Sequence, residues 1–296
     1  SDFEQIICSG EFTELLEFTS SVENTTFTWN FSTADTYLSG YNNETINTGN
    51  FEQQLIINST NITGQVIFEV TPSTIDCTGE TKLVTVIVNP TPEINNFTQT
   101  ICDGISFSDT TPLNSTNGIV PSDTTYEWEV DASSSSEITG GESGSGNTIP
   151  GSVLVNTSNT PQDFIYKVTP TSGDCIGEDF LITITVNPDA QISDISNTIC
   201  NEGSFSIDPS SISGNIVPTG TTYSWVTPVS DPLGVIESTA ANDQGLISQS
   251  LSNTANSAAT LTYTVIPKSG DCSGTPFIVT ITVNPEPQIS NVLETI

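Results

Sequence analysis

The sequence contains no histidine, and only three of its residues are Lys or Arg, against 35 Asp and Glu. Without histidine, a Ser-His-Asp or Cys-His catalytic arrangement cannot form. The three basic residues are all lysines, and the net charge of −32 leaves no basic surface for phosphate groups. Nucleic acid and anionic membrane surfaces are therefore not expected as partners. The chain also lacks a run of about 20 apolar residues, so we expect no membrane insertion.

The sequence has no CxxC motif, which together with the missing histidine argues against a zinc site. It does contain six cysteines, which occur as two in each of three similar segments: Cys8 and Cys77, Cys102 and Cys175, Cys200 and Cys272. Paired cysteines at matching positions predict disulfide bonds. Disulfide bonds in turn indicate an oxidising setting outside the cytoplasm.

A pattern of nearly 100 residues repeats three times along the chain. The segments IDCTGETKLVTVIVNP, GDCIGEDFLITITVNP and GDCSGTPFIVTITVNP end at Pro90, Pro188 and Pro285. A unit of this length can bury a core of its own, so each is expected to be a domain. We predict repeat 1 at 1–90, repeat 2 at 91–188, repeat 3 at 189–285, and the start of a further repeat of a longer array at 286–296.

Apolar residues alternate with polar ones in the segments on either side of the second cysteine of each repeat. Residues predicted to share a buried strand face are Val66, Phe68 and Val70; Phe164, Tyr166 and Val168; and Leu261, Tyr263 and Val265. Trp29, Trp128 and Trp225 are predicted to lie at the centre of each core. The pattern predicts an all-β chain of three tandem, Ig-like antiparallel β-sandwiches of about seven strands each. Short, proline-containing linkers predict an elongated rod.

Two disulfide pairings are compatible with this order. Pairing within repeats joins Cys8 to Cys77, Cys102 to Cys175 and Cys200 to Cys272, and uses every cysteine. Pairing across the linkers joins Cys77 to Cys102 and Cys175 to Cys200, and leaves two cysteines alone. The first is favoured, because closing each loop of about 70 residues would stabilise a repeat by ~4 kcal/mol in the chain-entropy model.

The repeated units TICxG, GNIVPxGTTYxW and YxVxPxSGDCxGxxFxxTITVNPxPxI resemble the PKD-like repeats of very large cell-surface proteins of Bacteroidetes, among them gliding-motility adhesins. The resemblance covers the whole chain and is strongest in Asn215–Trp225 and Tyr263–Pro287. Repeat 1 lacks GNIVP, and TWNFS, YEWEV and YSWVT replace the WDFGDG motif of true PKD domains. The resemblance implies export by the type IX secretion system, display as a filament on the outer membrane, and contact with the gliding machinery through other parts of the parent chain.

Candidate chemical sites are few. No acidic pair recurs in an apolar setting, so no catalytic residue and no cofactor are predicted. Asp174, Glu178 and Asp179 lie close together in one turn, and oxygen ligands of this kind can hold a structural calcium ion. The cluster does not recur in repeat 3, and solvated surface carboxylates are the simpler interpretation.

The segments that differ most between repeats are the middle loops, Ser32–Asn50, Asp131–Ser152 and Thr227–Gly245. Binding surfaces are commonly built on loops, and Tyr37 and Tyr41 could stack on a sugar. In contrast, DASSSSEITGGESGSGN in repeat 2 is typical of a flexible loop without an aromatic anchor. Binding of surface polysaccharide through these loops is therefore the alternative function.

Two short motifs suggest glycosylation. Asp109-Thr110-Thr111 and Asp123-Thr124-Thr125 resemble the O-glycosylation acceptor of Bacteroidetes, with the sugar on Thr110 and Thr124. Asn-x-Ser/Thr triplets, including those at Asn58 and Asn156, are interpreted as a by-product of composition.

The predicted function is structural. We expect a disulfide-stapled stalk segment of a secreted adhesin filament at the bacterial cell surface, acting in gliding motility or attachment. Its expected partners are the neighbouring repeats of the same filament.

Overall fold

The computed structural model describes residues 2–43, 47–287 and 289. Strands account for the regular structure of these residues, apart from one 3-10 turn at Pro209–Ser211. In repeat 1 the strands are β1 (Phe3–Cys8), β2 (Glu11–Phe12), β3 (Thr26–Ala34), β4 (Leu38–Ser39), β5 (Asn47–Thr48), β6 (Leu55–Asn58), β7 (Gly64–Ser73) and β8 (Lys82–Asn89).

Repeats 2 and 3 follow the same plan. Repeat 2 contains β9 (Glu93–Ile94), β10 (Phe97–Cys102), β11 (Gly118–Ile119), β12 (Thr125–Val130), β13 (Ile138–Thr139), β14 (Gly144–Gly146), β15 (Val155–Asn156), β16 (Gln162–Ser172), β17 (Cys175–Ile176) and β18 (Phe180–Asn187). Repeat 3 contains β19 (Ile195–Cys200), β20 (Ser204–Ile207), β21 (Thr222–Trp225), β22 (Val229–Asp231), β23 (Ala241–Gln244), β24 (Ile247–Ser250), β25 (Ala259–Ser269), β26 (Cys272–Ser273) and β27 (Phe277–Asn284).

The main sheet of each repeat has the same strand order. It runs β1-β8-β7-β3-β5 in repeat 1, β10-β18-β16-β12-β14 in repeat 2 and β19-β27-β25-β21-β23 in repeat 3. A smaller second sheet faces it, formed by β2-β6-β4, β13-β15 or β20-β24. The prediction of three tandem β-sandwiches is therefore confirmed.

One feature of the sheet departs from the predicted antiparallel arrangement. The first strand of each repeat pairs in parallel with the last, over six residues in every case: β1 with β8, β10 with β18 and β19 with β27. The remaining main-sheet pairs are antiparallel. First and last strands consequently run side by side from one end of the repeat to the other.

Each repeat has its own core. The alternating residues lie inside as predicted, with Val66, Phe68, Tyr166, Val168, Leu261 and Tyr263 all at most 1% exposed. Trp29, Trp128 and Trp225 are also buried, and each indole N–H donates to a backbone carbonyl 3.0 Å away, that of Asn50, Glu142 or Thr239. Each tryptophan thus packs in the core and also fixes part of its middle loop.

A buried asparagine recurs near the end of the second sheet, at Asn58, Asn156 and Asn253. The Asn156 amide nitrogen donates to Val186 O at 2.8 Å and to Thr160 O at 2.9 Å, while its oxygen accepts from Ser158 N at 2.9 Å. Asn58 and Asn253 bond in the same way to Val88 and Val283. The triplets at Asn58 and Asn156 therefore have a structural explanation, because these side chains fasten a turn to the last strand.

Replacing Asn156 with alanine should destabilise repeat 2 by about 2–3 kcal/mol, because it leaves buried backbone groups unpaired. Hydrogen exchange of repeat 2 peptides would measure the loss. Asn43 is exposed, and its replacement by alanine should change stability by less than about 0.5 kcal/mol. Equal effects of the two substitutions would contradict the assigned role.

Candidate functional site

The disulfide bonds join neighbouring repeats. Cys8 of repeat 1 is bonded to Cys175 of repeat 2, and Cys102 of repeat 2 is bonded to Cys272 of repeat 3, each with a Cα–Cα distance of 5.5 Å. The predicted within-repeat pairing is therefore wrong, and the pairing across linkers, Cys77–Cys102 and Cys175–Cys200, is not found either. In every bond, the first cysteine of one repeat meets the second cysteine of the next.

The parallel strand pair explains why pairing within a repeat fails. Cys102 ends β10 beside Asn187, the last residue of β18, whereas Cys175 precedes the first residue of β18. The eight residues of β18 therefore separate the two cysteines by about 25 Å. A disulfide requires Cα atoms within about 7 Å, so these two cysteines cannot bond to each other and need partners outside their own repeat.

The second cysteine reaches the preceding repeat because it lies in a tight hairpin turn. In repeat 2, Ser172 pairs with Cys175, and Gly177 N donates to Pro170 O at 2.9 Å. The turn in repeat 3 has the same form, with Ser269 opposite Cys272. Both bonded hairpin cysteines are only 1% exposed, because the preceding repeat covers them.

In repeats 2 and 3, the glycine two residues after the hairpin cysteine lies directly against the linker. A Cβ atom on Gly177 would be 2.2 Å from Pro92 O, and one on Gly274 would be 2.3 Å from Ala190 O. For the equivalent Gly79 of repeat 1, the three atoms nearest to an added Cβ all belong to Pro72 of its own repeat, with the Cγ atom at 2.9 Å. The repeated Cys-x-Gly motif is thus a docking motif in which cysteine bonds and glycine permits close contact.

A cleft of about 590 Å³ lies at the junction between repeats 1 and 2. Its lining combines Cys8, Asn58 and Thr91 from the repeat 1 side with Asp174 and Ile176 of the repeat 2 hairpin. The Thr91 hydroxyl donates to Ser9 O at 3.0 Å and holds the linker to the end of repeat 1. The linker and the disulfide together give two covalent connections at this junction.

At the junction between repeats 2 and 3, Asp189 occupies the position that Thr91 has at the first junction. Asp189 lies within 4.8 Å of both sulfurs of the Cys102–Cys272 bond, and its buried Oδ1 has no hydrogen-bond partner among the described residues. Burial, and secondarily the nearby Asp103 carboxylate, raise the pKa of Asp189. The folded state disfavours the charged form of the Asp189 carboxyl, so burying this carboxylate lowers the free energy of unfolding above the raised pKa. This loss of stability is relieved as pH falls through the raised pKa toward the ordinary value of about 3.9.

Calcium ligands are not gathered at the predicted acidic turn. Asp179 instead accepts a hydrogen bond from the Thr169 hydroxyl and pairs with Lys167 at 2.9 Å, and these two contacts lower the pKa of Asp179. In the described ranges, the one group of three potential metal ligands is Cys102, Asp189 and Cys272, whose sulfurs are already bonded to each other. A disulfide supplies no thiolate, so this group does not fit a metal site.

The middle loops are more ordered than the sequence predicts. In repeat 2, β14 pairs with β12, and Ile138 and Ile149 are buried, so the Ser- and Gly-rich segment is not a featureless loop. In repeat 1, Tyr41 stacks on Phe31 with ring centroids 5.2 Å apart, and the Tyr37 hydroxyl donates to Thr63 O. These tyrosines therefore make intramolecular contacts where the sequence suggested sugar binding.

The predicted O-glycosylation sites are buried. Thr110 is 5% and Thr124 is 6% exposed. The Thr124 hydroxyl donates to Pro121 O at 2.7 Å, as Thr221 does to Pro218 O in repeat 3, and Thr110 accepts from Gln99 at 3.2 Å. The folded chain does not offer either hydroxyl to a glycosyltransferase, contrary to the prediction. The shared PxxTT sequence is a turn motif.

The fold and its junctions define a tandem array of β-sandwich domains with covalent links between neighbours. The model of the PKD-like domain matches residues 5–92, 99–190 and 197–287. The chain therefore belongs to the PKD-like domain family and contains three copies of that domain. None of the described residues forms a helix with the length and apolar character that a membrane-spanning segment requires.

The chain also has low similarity to several solved structures. The extracellular cadherin domains 1–5 of protocadherin gamma B2 match with 15% identity and a TM-score of 0.32, over 97% of this chain and 59% of that one. The insect immune protein hemolin matches with 12% identity and a TM-score of 0.30, over 96% and 76%. Sidekick-1 immunoglobulin domains 1–4 match with 11% identity and a TM-score of 0.26, over 96% and 72%. No curated protein matches the chain.

Proposed function

We propose that the chain is a non-catalytic structural segment of a large extracellular adhesion filament, and that its cross-linked junctions carry tension along that filament. The observation that supports this role most strongly is the staggered disulfide pattern, in which each bond spans a junction. Because disulfides persist in oxidising compartments, the pattern also supports a location outside the cytoplasm.

The parallel strand pair suits the proposed mechanical role. In repeat 2, the bond from repeat 1 enters at Cys175, just before β18, and the bond to repeat 3 leaves at Cys102, the end of β10. The backbone linkers attach the other end of each strand, because the linker from repeat 1 leads into β10 and the linker to repeat 3 follows β18. Each of these two paired strands is therefore covalently connected to both neighbouring repeats, so β10 and β18 carry tension side by side along their length.

The finer identity is also a proposal. The sequence resemblance to the flavobacterial gliding-motility adhesin SprB supports a filament that is exported by type IX secretion, attached at the outer membrane and moved by the gliding machinery. The domain limits 1–90, 91–188 and 189–285 are proposed as the units of this filament. Neighbouring repeats would be the immediate partners.

Small-angle scattering tests whether the bonds maintain the arrangement of the repeats. We compare the oxidised chain with a variant in which Cys8, Cys102, Cys175 and Cys272 are all serine. The oxidised chain should give one narrow distribution of maximum dimension, and the variant a broader one. Identical distributions would show that the bonds do not hold the junctions, and would overturn the proposal.

Binding to a polysaccharide panel tests the alternative function. The oxidised chain should show no saturable binding, because the aromatic side chains of the middle loops are engaged within the fold. Saturable binding that is lost when short Gly-Ser turns replace the middle loops would contradict a purely structural role.

A further inference from the structure

Two cysteines of the chain have no disulfide partner, although all six cysteines lie in the described ranges. Cys77 and Cys200 are unbonded and exposed. Cys200 occupies the position in repeat 3 that Cys8 and Cys102 hold in the earlier repeats. Cys77 occupies the hairpin position in repeat 1 that Cys175 and Cys272 hold later. Each therefore corresponds to two residues that are bonded in this structure.

The backbone at Cys200 already has the bonded arrangement. Cys200 lies opposite Asn284 in the parallel pair, as Cys8 lies opposite Asn89 and Cys102 opposite Asn187. The next residue, Asn201, donates its N–H to Asn284 O at 2.8 Å, and Ser9 and Asp103 make the same bond at the same distance. The backbone at Cys200 therefore has the same arrangement as the backbone at Cys8 and Cys102, the two first-strand cysteines that are bonded.

The hairpin that contains Cys77 also has the conformation of the bonded hairpins, although Cys77 itself is unbonded. Ser73 bridges to Thr78, which matches the pairing of Thr171 with Ile176 in repeat 2. Gly79 N donates to Pro72 O at 2.8 Å, as its counterparts do in the bonded hairpins. Ile75, at the tip of this hairpin, is 99% exposed.

The surfaces that neighbouring repeats cover elsewhere are open at these two cysteines. Pro92 and Ala190 in the linkers are buried beneath the next hairpin, whereas the equivalent Pro287 is exposed. Likewise, Ile94 is 9% exposed and its counterpart Ile289 is 92% exposed. Repeat 3 thus presents an uncovered linker surface, and repeat 1 presents an uncovered hairpin of the kind that fits it.

We propose that Cys200 and Cys77 are complementary halves of a further junction of the same type. Cys200 bonds to the hairpin cysteine of a PKD-like repeat seated on repeat 3, and Cys77 bonds to the first-strand cysteine of a repeat on which repeat 1 is seated. A second copy of this chain, placed head to tail, supplies both partners. The inference depends on junction geometry and stands apart from the proposed mechanical role.

Bond formation requires an oxidant, for which a low-molecular-weight disulfide is sufficient. The Cys200 thiolate attacks one sulfur of this disulfide and releases one thiol. The Cys77 thiolate of the partner then displaces the second thiol from the mixed disulfide. One Cys200–Cys77 bond forms, the small disulfide is reduced to two thiols, and the protons of both cysteines are transferred to them.

Mixing two single variants tests this pairing between copies. Cys77→Ser retains only Cys200 as a free thiol, and Cys200→Ser retains only Cys77. In oxidised glutathione, with 0.5 M salt to screen the acidic surfaces, each variant alone should remain at least 90% monomeric. The mixture should yield a disulfide-linked 1:1 dimer with a Cys200–Cys77 peptide in its mass map. Dimers that form equally well from one variant alone would overturn the proposed pairing.

A fusion of two copies distinguishes two sources of the cysteine that bonds to Cys200: a repeat further along the same chain, or a second molecule. Residues 1–296 are joined to residues 8–296, which keeps the repeat spacing and raises the local concentration of the partner into the millimolar range. The expected bond joins Cys200 of the first copy to Cys77 of the second. If the Cys200–Cys77 bond forms in the fusion but not in the mixture of the two variants, the partner is a repeat of the same chain and a second copy is excluded as its source. Free thiols in both experiments would overturn the proposal.

Discussion

Pulled from its two ends, the oxidised chain should stop extending at about 370 Å, whereas the reduced chain should extend to about 1,000 Å. The disulfides bring Cys8 together with Cys175, and Cys102 together with Cys272, so three segments of chain connect the two bonds in parallel. The shortest segment is the part of repeat 2 between Cys102 and Cys175. With the two chain ends, the shortest covalent route contains about 105 of the 296 residues, at up to ~3.5 Å each.

Single-molecule force spectroscopy measures this difference directly. The oxidised chain should show its final contour length after all three repeats have unfolded, and dithiothreitol should add roughly 650 Å. A Cys77→Ser/Cys200→Ser variant is the matched control, because it removes both free thiols and leaves the two bonds in place. Oxidised and reduced chains of equal contour length would show that the bonds do not limit extension.

A single methyl group on Gly177 should destabilise the first junction strongly. Its carbon would lie 2.2 Å from Pro92 O, so the hairpin must move away from the linker. We expect the Cys8–Cys175 bond of Gly177→Ala to open at a reductant ratio at least tenfold lower than in the unmodified chain, which corresponds to about 1.4 kcal/mol. Titration with dithiothreitol, followed by alkylation and peptide mass mapping, would measure this shift.

The chain contains two controls for this substitution. Gly79→Ala makes the same change in a hairpin that has no linker against it, and the Cys8–Cys175 bond should then open at the usual ratio. In Gly177→Ala itself, the Cys102–Cys272 bond should also be unaffected. An unchanged Cys8–Cys175 bond in Gly177→Ala would mean that the contact with Pro92 does not hold the junction together.

The sequence predicted the strands and their buried faces well, because alternation is a local signal. Val84, Val86 and Val88 are all fully buried, as their spacing indicates. Alternation does not show the direction in which two strands pair, so the parallel pairing of β1 with β8 was missed. The disulfide prediction was wrong for the same reason: with antiparallel strands throughout, nothing indicates that the two cysteines of a repeat lie at opposite ends.

The hairpin glycines and the two threonine motifs are visible in the sequence, but their roles can be assigned only from the structure. The glycine after each hairpin cysteine recurs in all three repeats, but a turn explains a glycine as readily as a contact with a linker. Thr110 and Thr124 match a short acceptor motif, yet their burial depends on packing that three residues do not encode. Long-range contacts of this kind are not visible in local patterns.

The staggered bonds also make the chain tolerant of damage. A protease that cuts the backbone at any one position between Cys8 and Cys272 leaves the two fragments covalently joined, because a disulfide always bridges the cut. Bonds confined to single repeats would leave each linker as a point at which one cut separates the chain. No single backbone cut between Cys8 and Cys272 therefore separates the array into two pieces.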